Sequence, residues 1–335
     1  MINENTAAAL SYGLNRWDNV TDHYVLFYNI GASFTQCSIV KYSLADKVIN
    51  SKLNKTVESI QVLGTDVNTQ FSGRILDERY AKALDLPLLK AQEKKHNLAD
   101  RKEIADFEFS WRQIEHMLTD PIDNVLFSNN LTLLNVTHFE LLGGATKIPK
   151  IRDNLADYFG LEKFESQLEE GAAAQGAALF ASNLTDPDEL KPIWLSDVLP
   201  GHVDAKFIGE GFEKTSTVFK ERTTLGARKR IKIMSNYDVL VKLYHVIGEE
   251  ETLLDEYDVS GILDSSQFYN ANMTNYFTFQ IAQNGFPILL EAENKWNKVF
   301  NKTYEYKKEK NAGEEINVEG RMMMTRPEMR DIIEI

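Results

Sequence analysis

Strand-like hydrophobic runs alternate with turns near the start of the chain. HYVLFYNIG and QCSIVKYSL predict two strands joined by a turn at Gly31, Ala32 and Ser33, and SIQVLGTDV predicts a third strand. The front part of the chain is therefore expected to contain a sheet.

Helical periods appear between and after these runs, up to residue 182. TAAALSYGL predicts a short amphipathic helix, and residues 74–105 are charged with helical spacing. THFELLGGATKIPKIRDNLADYF predicts a strand, a Gly-Gly turn and a helix. EEGAAAQGAALFAS predicts a small-residue helix able to pack tightly against a neighbour.

The helical period largely vanishes in the back part of the chain. RKRIKIMS, DVLVKLYHV, EYDVSGI, YFTFQIA and FPILLEAE have strand lengths and recur at spacings typical of an all-β sandwich. Residues 183–192 hold two prolines and three acids and predict a linker. The sequence thus predicts domains over 1–182 and 193–304, followed by a polar, disordered tail over 305–335.

Composition narrows the classes of partner. Hydrophobic residues make up 43% and charged residues 26%, as in ordinary folded proteins. The 37 basic and 50 acidic side chains give a net charge of −13, which disfavours broad nucleic-acid binding. No apolar run approaches the ~20 residues of a bilayer span, so no membrane partner is predicted, and the N-terminal segment lacks the pattern of a signal peptide.

Two features bear on the cellular compartment. The single cysteine, Cys37, excludes an intrachain disulfide and a thiolate metal cluster, and its apolar neighbours predict a buried, inert thiol. The chain also carries an excess of Asn-x-Ser/Thr sequons, which is compatible with a lumenal glycoprotein. The seven sequons begin at Asn19, Asn54, Asn130, Asn135, Asn183, Asn272 and Asn301.

Two turns are candidate anion sites. NIGASFT follows an apolar strand, and GGATKIP follows the strand HFELL and opens a helix beside a lysine. Small residues let backbone N–H groups approach a phosphate, and a helix N-terminus favours negative charge. A plain hairpin turn is the alternative for the first, and a tight packing turn is the alternative for the second.

The common catalytic and metal-binding motifs are absent from the sequence. It has no G-x-S-x-G, no G-x-x-x-x-G-K-[ST] and no H-E-x-x-H, and none of its six histidines are paired at metal-ligand spacing. No catalytic residue and no metal ligand is therefore predicted.

Several strings resemble one known family in its own order. INENTAAALSYGL resembles the INEPTAAALAYGL of the heat shock protein 70 kDa superfamily, and LLGGATKIPKI resembles its VGGSTRIPKI. YNIGASFTQCSIV resembles the second phosphate loop, DLGGGTFDVSI, and EGAAAQGAA resembles DEAVAYGAA. DVLVKLYHV, LLDEYDVSGI and FTFQIAQNGFPILLEAE resemble strands of the substrate-binding domain. The resemblance covers roughly residues 1–300.

The resemblance implies an α+β chain. It would hold a partial actin-like (ribonuclease H-like) lobe II of an ATPase domain, then a β-sandwich substrate-binding domain for unfolded polypeptides. It implies ATP or ADP with Mg²⁺ as cofactor. The first lobe, with its phosphate loop and lysine, has no counterpart here, and an adenosine-gripping helix is missing near 105–110. Hydrolysis of ATP is therefore not expected, although the family is an ATPase family.

The resemblance also assigns cofactor-binding residues. They are Gly31, Ala32 and Ser33 in the phosphate loop, Gly73 near the phosphates, Gly143, Gly144, Ala145 and Lys147 on the adenosine side, and Glu170 at an acidic position of the nucleotide or ion site.

The chain departs from the family pattern within this half-site. Asn29 stands where the family has an aspartate that organises Mg²⁺, and an amide cannot supply that charge. Ala32 and Ser33 replace glycines, and Lys147 replaces an arginine. We expect ATP to bind poorly.

Two details resemble one branch of the superfamily. Asn5 replaces a proline, and DELKPIWLSDVL replaces an apolar linker, as in the large endoplasmic-reticulum members (the 170 kDa glucose-regulated, hypoxia up-regulated proteins). That branch implies a stress-response chaperone of the lumen that holds unfolded polypeptides and assists nucleotide exchange on a smaller relative. A cytoplasmic location, an ATPase chaperone in its own right, and an adaptor that docks a partner chaperone are the competing hypotheses.

Overall fold

A computed structural model describes residues 2–14, 22–49, 53–99, 115–162, 168–185, 193–209, 211–235, 239–259, 273–282, 285–294, 298–301, 323–324 and 332–334. The chain divides into a first unit, Ile2–Leu195 with Gly320–Met323, and a second unit, Ser196–Glu319 with Met324–Ile335. The fold is mixed α/β with several sheets.

A six-stranded sheet forms the centre of the first unit. Its strands are β1 (His23–Ile30), β2 (Thr35–Ile49), β3 (Leu53–Asn68), β4 (Val136–Leu142), β5 (Ile193–Ser196) and β14 (Met323–Met324). The spatial order is β14-β5-β3-β2-β1-β4. β2 pairs antiparallel with both β1 and β3, whereas β4 pairs with β1 in parallel.

Six helices accompany this sheet within the described residues. They are α1 (Glu4–Gly13), α2 (Gly73–Leu84), α3 (Leu88–Ala99), α4 (Glu115–Ser128), α5 (Pro149–Phe159) and α6 (Ala172–Thr185), with short 3-10 turns at Leu133–Asn135 and Gly144–Lys147. None of the helices in the described part of the chain has the length and apolar character needed to cross a membrane.

The apolar run of β1 is buried on both faces of the sheet. Leu26 and Tyr28 belong to a core shared with residues of α2, α4 and α5. Phe27, on the opposite face, meets the ring of Tyr12 from α1 with ring centroids 5.7 Å apart. A near-continuous hydrophobic strand is what a sheet covered on both sides requires.

Helix α1 differs from its prediction. Asn3 caps it by accepting hydrogen bonds from the N–H groups of Asn5 and Thr6, but nearly every residue from Asn5 to Gly13 is buried. The helix is not amphipathic because α6 packs against it in addition to the sheet. A helix that is covered all round needs small and apolar residues on every side.

The second unit contains two sheets with a common core. One has the order β10-β9-β6-β7 and the other β13-β12-β11-β8-β15. Their strands are β6 (His202–Gly209), β7 (Phe212–Phe219), β8 (Arg228–Ser235), β9 (Val239–Ile247), β10 (Glu250–Val259), β11 (Met273–Ile281), β12 (Pro287–Asn294), β13 (Lys298–Asn301) and β15 (Ile332–Glu334). Phe207 of the first sheet meets Phe277 of the second, with ring centroids 5.1 Å apart.

The strand predictions are confirmed for the described residues of the five back segments, as β8 to β12, while positions 238 and 260–262 of those segments lie outside the described residues. β5, β6 and β7 were not predicted individually. Residues 183–185 of the predicted linker belong to α6, and 186–192 lie outside the described residues, as does the position of the missing helix near 105–110. The predicted tail contributes β14 and β15, and its other residues lie outside the described part.

The predicted burial of Cys37 is confirmed, because the residue lies fully buried in β2. Burial raises the pKa of its thiol well above the ordinary value. We expect no reaction with a thiol reagent at about pH 8 under native conditions and one thiol per chain in urea. Stoichiometric labelling without denaturant would contradict the buried position, and the denatured chain is the control for reagent activity.

Candidate nucleotide-contact site

The two predicted turns lie at the same end of the first unit's sheet, after the carboxyl ends of β1 and β4. β1 and β4 are parallel neighbours, with Asn29 in register with Leu142. Gly31 follows the end of β1, and Gly143 follows the end of β4. Ligands of open α/β sheets bind outside the carboxyl ends of parallel strands, so this end is where chemistry is expected.

The turn after β1 is closed by its own backbone. The Gly31 N–H donates to the Phe34 carbonyl at 3.0 Å, and Ala32 and Ser33 are exposed at its tip. Thr35, the first residue of β2, donates its hydroxyl to the Phe71 carbonyl at 2.7 Å. The turn is thereby attached to the segment that leads into α2.

Helix α2 begins directly against this turn. The Gly73 N–H donates to the Gly31 carbonyl at 2.8 Å, and the Arg74 N–H donates to the Ala32 carbonyl at 2.9 Å. Ser72 caps the helix by accepting from the Ile75 N–H at 3.4 Å. These donors of the first turn, which would face an anion at an open helix end, are engaged by the protein itself.

The bend after β4 packs onto the end of β1. Gly143 has φ +83°, and a Cβ at this position would lie 2.2 Å from the Ile30 carbonyl oxygen and 2.6 Å from Asn29 Oδ1. Only glycine fits such a backbone and such an approach. A Cβ on Gly144, in contrast, would meet no atom within 4 Å.

The remaining site residues lie on the 3-10 turn and just before α6. Ala145 is buried, and Thr146 donates its N–H and its hydroxyl to the Gly143 carbonyl, at 3.2 and 2.7 Å. Lys147 Nζ lies 2.6 Å from Glu170 Oε1, and this hydrogen-bonded cation lowers the pKa of the exposed Glu170 carboxyl. Hydrogen bonds thus join Gly31 and Ala32 to the start of α2, and Gly143 packs on Ile30, the residue before Gly31. Lys147 and Glu170 are joined to each other.

A buried network of amides and hydroxyls lies beneath the turns. Asn5 donates its Nδ2–H groups to the Phe27 carbonyl at 3.2 Å and to Ser38 Oγ at 3.0 Å, and Asn29 donates to Asn5 Oδ1 at 3.2 Å. Ser38 continues the network to Thr65 Oγ1 at 2.9 Å. Asn29 is 2% exposed, and its Oδ1 has no hydrogen bond within the described residues.

The Hsp70 protein family model matches residues 1–104 and 74–329, which together span most of the chain. The chain belongs to the Hsp70 family. The resemblance found in the glycine- and alanine-rich strings is confirmed by this match.

This Hsp70 chain is similar to chaperones of several organisms at low identity. It is 25% identical to a ribosome-associated molecular chaperone of Eremothecium gossypii over 78% of the chain and 48% of that protein. It is 26% identical to the heat shock protein 70 homolog lhs1 of Schizosaccharomyces pombe over 59% of the chain and 28% of that protein. It is 25% identical to hypoxia up-regulated protein 1 of Xenopus laevis over 63% of the chain and 38% of that protein. The chain spans less than half the length of these curated relatives.

The described residues fit Mg²⁺ poorly. No group of three His, Cys, Asp or Glu side chains within them could hold a metal ion. At the Asn29 position, a neutral amide is buried and tied to Asn5, whereas Mg²⁺ prefers carboxylate and other oxygen ligands in a hydrated site. No step of a reaction can be derived through the ion from these residues.

The pairing of Asn5 with Asn29 was missed by the sequence analysis, which treated each residue as a separate departure from the Hsp70 pattern. The available signal was that both family residues are replaced by an amide. The family's proline at position 5 cannot accept this side-chain hydrogen bond, and an ionised aspartate at position 29 cannot donate it. Spacing gave no hint, since 24 residues separate the two.

Replacing Asn29 with aspartate is expected to destabilise the first unit in a pH-dependent way. The substitution removes the donor to Asn5 and buries a carboxyl whose folded pKa should rise above its unfolded value of about 3.9. A raised folded pKa means that stability is lost as pH increases, so the cost should be small near pH 4 and about 2–3 kcal/mol at pH 7.

Urea unfolding is measured at several pH values by the helical circular dichroism signal, to which the first unit contributes α1–α6. Asn135→Asp is the matched control, because Asn135 is exposed and uses its side-chain oxygen as an acceptor, which aspartate keeps. Equal pH profiles for N29D and N135D would contradict the buried amide pair.

Proposed function

We propose that this chain is a chaperone that holds unfolded polypeptides without hydrolysing ATP. The observation that carries the proposal is the extent of the Hsp70 match, which runs through the first unit and into the second as far as residue 329. A relative covering 78% of the chain is itself called a molecular chaperone. Client binding is therefore the activity best supported for this polypeptide.

The proposal divides the chain by role. Residues 1–182 would be lobe II of the nucleotide-binding domain, 183–192 the linker and 193–304 the substrate-binding domain. Support for the first assignment is the pair of glycine turns after parallel β1 and β4. Support for the last is the pair of sheets around Phe207 and Phe277, a layered β architecture whose loops or edges can take an extended peptide.

Nucleotide contacts would be weak in this chaperone. Gly31, Ala32, Ser33 and Gly73 would face the phosphates, with Gly143, Gly144, Ala145, Lys147 and Glu170 toward the adenosine and ion side. The Gly73 and Arg74 N–H groups donate to carbonyls of the Gly31 turn, and Asn29 brings no negative charge for Mg²⁺. Both features are compatible with an intact fold and favour a chain that does not hydrolyse ATP.

Calorimetric titration with ATP and Mg²⁺, together with a phosphate-release assay, tests this part. We expect no turnover and no saturable binding in the micromolar range. Micromolar or tighter binding accompanied by turnover would overturn the proposal and favour an ATPase chaperone.

Client holding is tested by light scattering from a thermally unfolding client protein. The full chain should suppress scattering at near-stoichiometric ratios, and added ATP should not reverse the effect, because the proposal contains no ATP-driven release. Serum albumin at equal mass is the control for crowding. Undiminished scattering with the chain present would overturn the holdase role.

We propose a second role beside a smaller Hsp70 relative, because the resemblance to the large endoplasmic-reticulum branch implies it and hypoxia up-regulated protein 1 is among the similar proteins. If the chain assists exchange, it should accelerate release of a fluorescent ADP analogue from that relative. Capture of the nucleotide-bound relative without acceleration would instead favour the adaptor hypothesis.

We propose that the chain resides in the endoplasmic-reticulum lumen, because it carries seven sequons and an asparagine at position 5, as the large lumenal members do. The ribosome-associated relatives favour the alternative, the cytoplasm. Fractionation of cells with a protease-protection assay separates the two: a lumenal chain resists protease until the membrane is dissolved.

A further inference from the structure

The seven sequons differ in where the structure puts their asparagines. Asn54 lies in β3 opposite Val48, Asn301 lies in β13 opposite Glu291, and Asn183 lies within α6. Asn19 and Asn272 lie outside the described residues. Asn130 and Asn135, between α4 and β4, are left as exposed candidates outside regular helices and strands.

Asn130 sits in the turn that ends α4. Its N–H donates to the Phe127 carbonyl at 3.0 Å, and the Leu131 N–H donates to the Leu126 carbonyl at 2.9 Å. Its φ of +55° is the left-handed conformation that asparagine tolerates at a helix end. The backbone therefore fulfils the capping role, and the exposed side-chain amide makes no hydrogen bond within the described residues.

The side chain of Asn135, unlike that of Asn130, is held in place by hydrogen bonds. Its Oδ1 accepts from the N–H and the hydroxyl of Thr132, at 2.8 and 3.1 Å. The hydroxyl of its sequon partner, Thr137, donates to the Tyr24 carbonyl at 2.8 Å. A glycan on Asn135 Nδ2 would leave the Oδ1 acceptor in place, but it would project from a side chain that the two hydrogen bonds from Thr132 fix beside the start of β4.

Exposed apolar side chains occur on the Asn130 segment. Phe127, three residues before Asn130, is 86% exposed, and Leu134 is 96% exposed. The hydrogen bond that closes the turn brings the backbones of Phe127 and Asn130 together. The C–H face of a sugar can pack on an aromatic ring by dispersion, which would cover surface that is otherwise costly to leave in water.

We propose that Asn130 carries an N-linked glycan whose first sugar packs on the Phe127 ring, an inference that rests on the lumenal location proposed above. In the transfer, Asn130 Nδ2 forms a bond to the anomeric carbon of an oligosaccharide carried on a polyisoprenyl pyrophosphate. The amide loses one proton, and the polyisoprenyl pyrophosphate leaves with its oxygen. Thr132 completes the sequon, and the bulky product projects from an exposed turn.

The full chain, delivered to the lumen of cultured cells by an added leader and carrying an appended reference sequon, tests the site. The leader supplies the location, so the result bears on Asn130 alone, while fractionation of the endogenous protein tests the location. Site-resolved mass spectrometry after glycosidase treatment should find Asn130 modified in most molecules. Unmodified Asn130 in molecules whose reference sequon is modified would overturn the proposal.

Variants test the packing of the sugar. N130Q and T132A should each lose one glycan, whereas N135Q should keep the wild-type glycan number. Enzymatic removal of the Asn130 glycan should lower the urea midpoint of the wild-type chain more than that of F127A. Equal losses in both proteins would overturn the contact with Phe127.

Discussion

Gly143→Ala is expected to lower the free energy of unfolding of the first unit by about 3–5 kcal/mol. The new Cβ would lie 2.2 Å from the Ile30 carbonyl oxygen, whereas carbon and oxygen atoms normally approach to about 3.3 Å. The backbone at φ +83° adds a conformational cost of about 1–3 kcal/mol for any residue with a Cβ. Moving the bend away would separate β4 from the end of β1, so relaxation brings little relief.

Cys37 offers a direct measurement of this loss. It is the only cysteine of the chain and is buried in the first unit, so brief thiol labelling in rising urea reports the unfolding of that unit alone. With an m-value of about 2 kcal/mol/M, the midpoint should fall by more than about 1 M.

Gly144→Ala is the matched control for Gly143→Ala. The two glycines are adjacent, but a Cβ on Gly144 meets no atom within 4 Å. Its labelling midpoint should stay close to that of the wild type. Similar midpoints for G143A and G144A would mean that the bend does not press on β1, and the placement of both glycine turns at one end of the sheet would lose its support.

The parts of the fold that depend on neighbouring residues were predictable from the sequence. The runs that form β1 and β2, the turn at Gly31 and the glycine bend before α5 all follow from periods and turn residues along the chain. The burial of α1 on every side could not be predicted in this way, because it depends on α6, more than 150 residues later.

The candidate site likewise has features that local patterns predicted and features that depend on distant segments. The sequence located both glycine turns but could not show that Gly73 and Arg74 donate to the first of them, or that Asn5 and Asn29 form a buried pair. Each of these contacts joins segments that only the folded sheet brings together. They are also the contacts that weigh against tight nucleotide binding, so the functional conclusion depends on what local patterns do not contain.

Gly143 illustrates why a motif resemblance needs a physical test. A glycine in a phosphate-contacting turn is expected where a ligand approaches the backbone, but here the approaching atoms belong to Ile30 and Asn29. Packing therefore explains the requirement for glycine at this position whether or not a nucleotide binds. The neighbouring Gly144 is open, so a substituent there should leave the fold intact.

Gly176→Ala should show the second large effect, with a sign that distinguishes packing from helix propensity. In an unpacked helix, alanine stabilises relative to glycine by about 1 kcal/mol. In α6, a Cβ on Gly176 would lie 1.7 Å from the Ala7 carbonyl oxygen of α1, so the two helices would have to separate. We expect a net loss of about 2–3 kcal/mol in the stability of the first unit, measured by Cys37 labelling in urea.

Gly171→Ala, just before the same helix, is the control, because a Cβ there meets no atom within 4 Å. Its midpoint should not fall. A gain of stability in G176A would show that α6 does not press against α1, and the all-round burial of α1 would then need another cause. A loss confined to G176A would establish that the small residues of EGAAAQGAA serve a helix crossing, in which the hydroxyl of Ser11 also donates to Gln175 Oε1 at 3.1 Å.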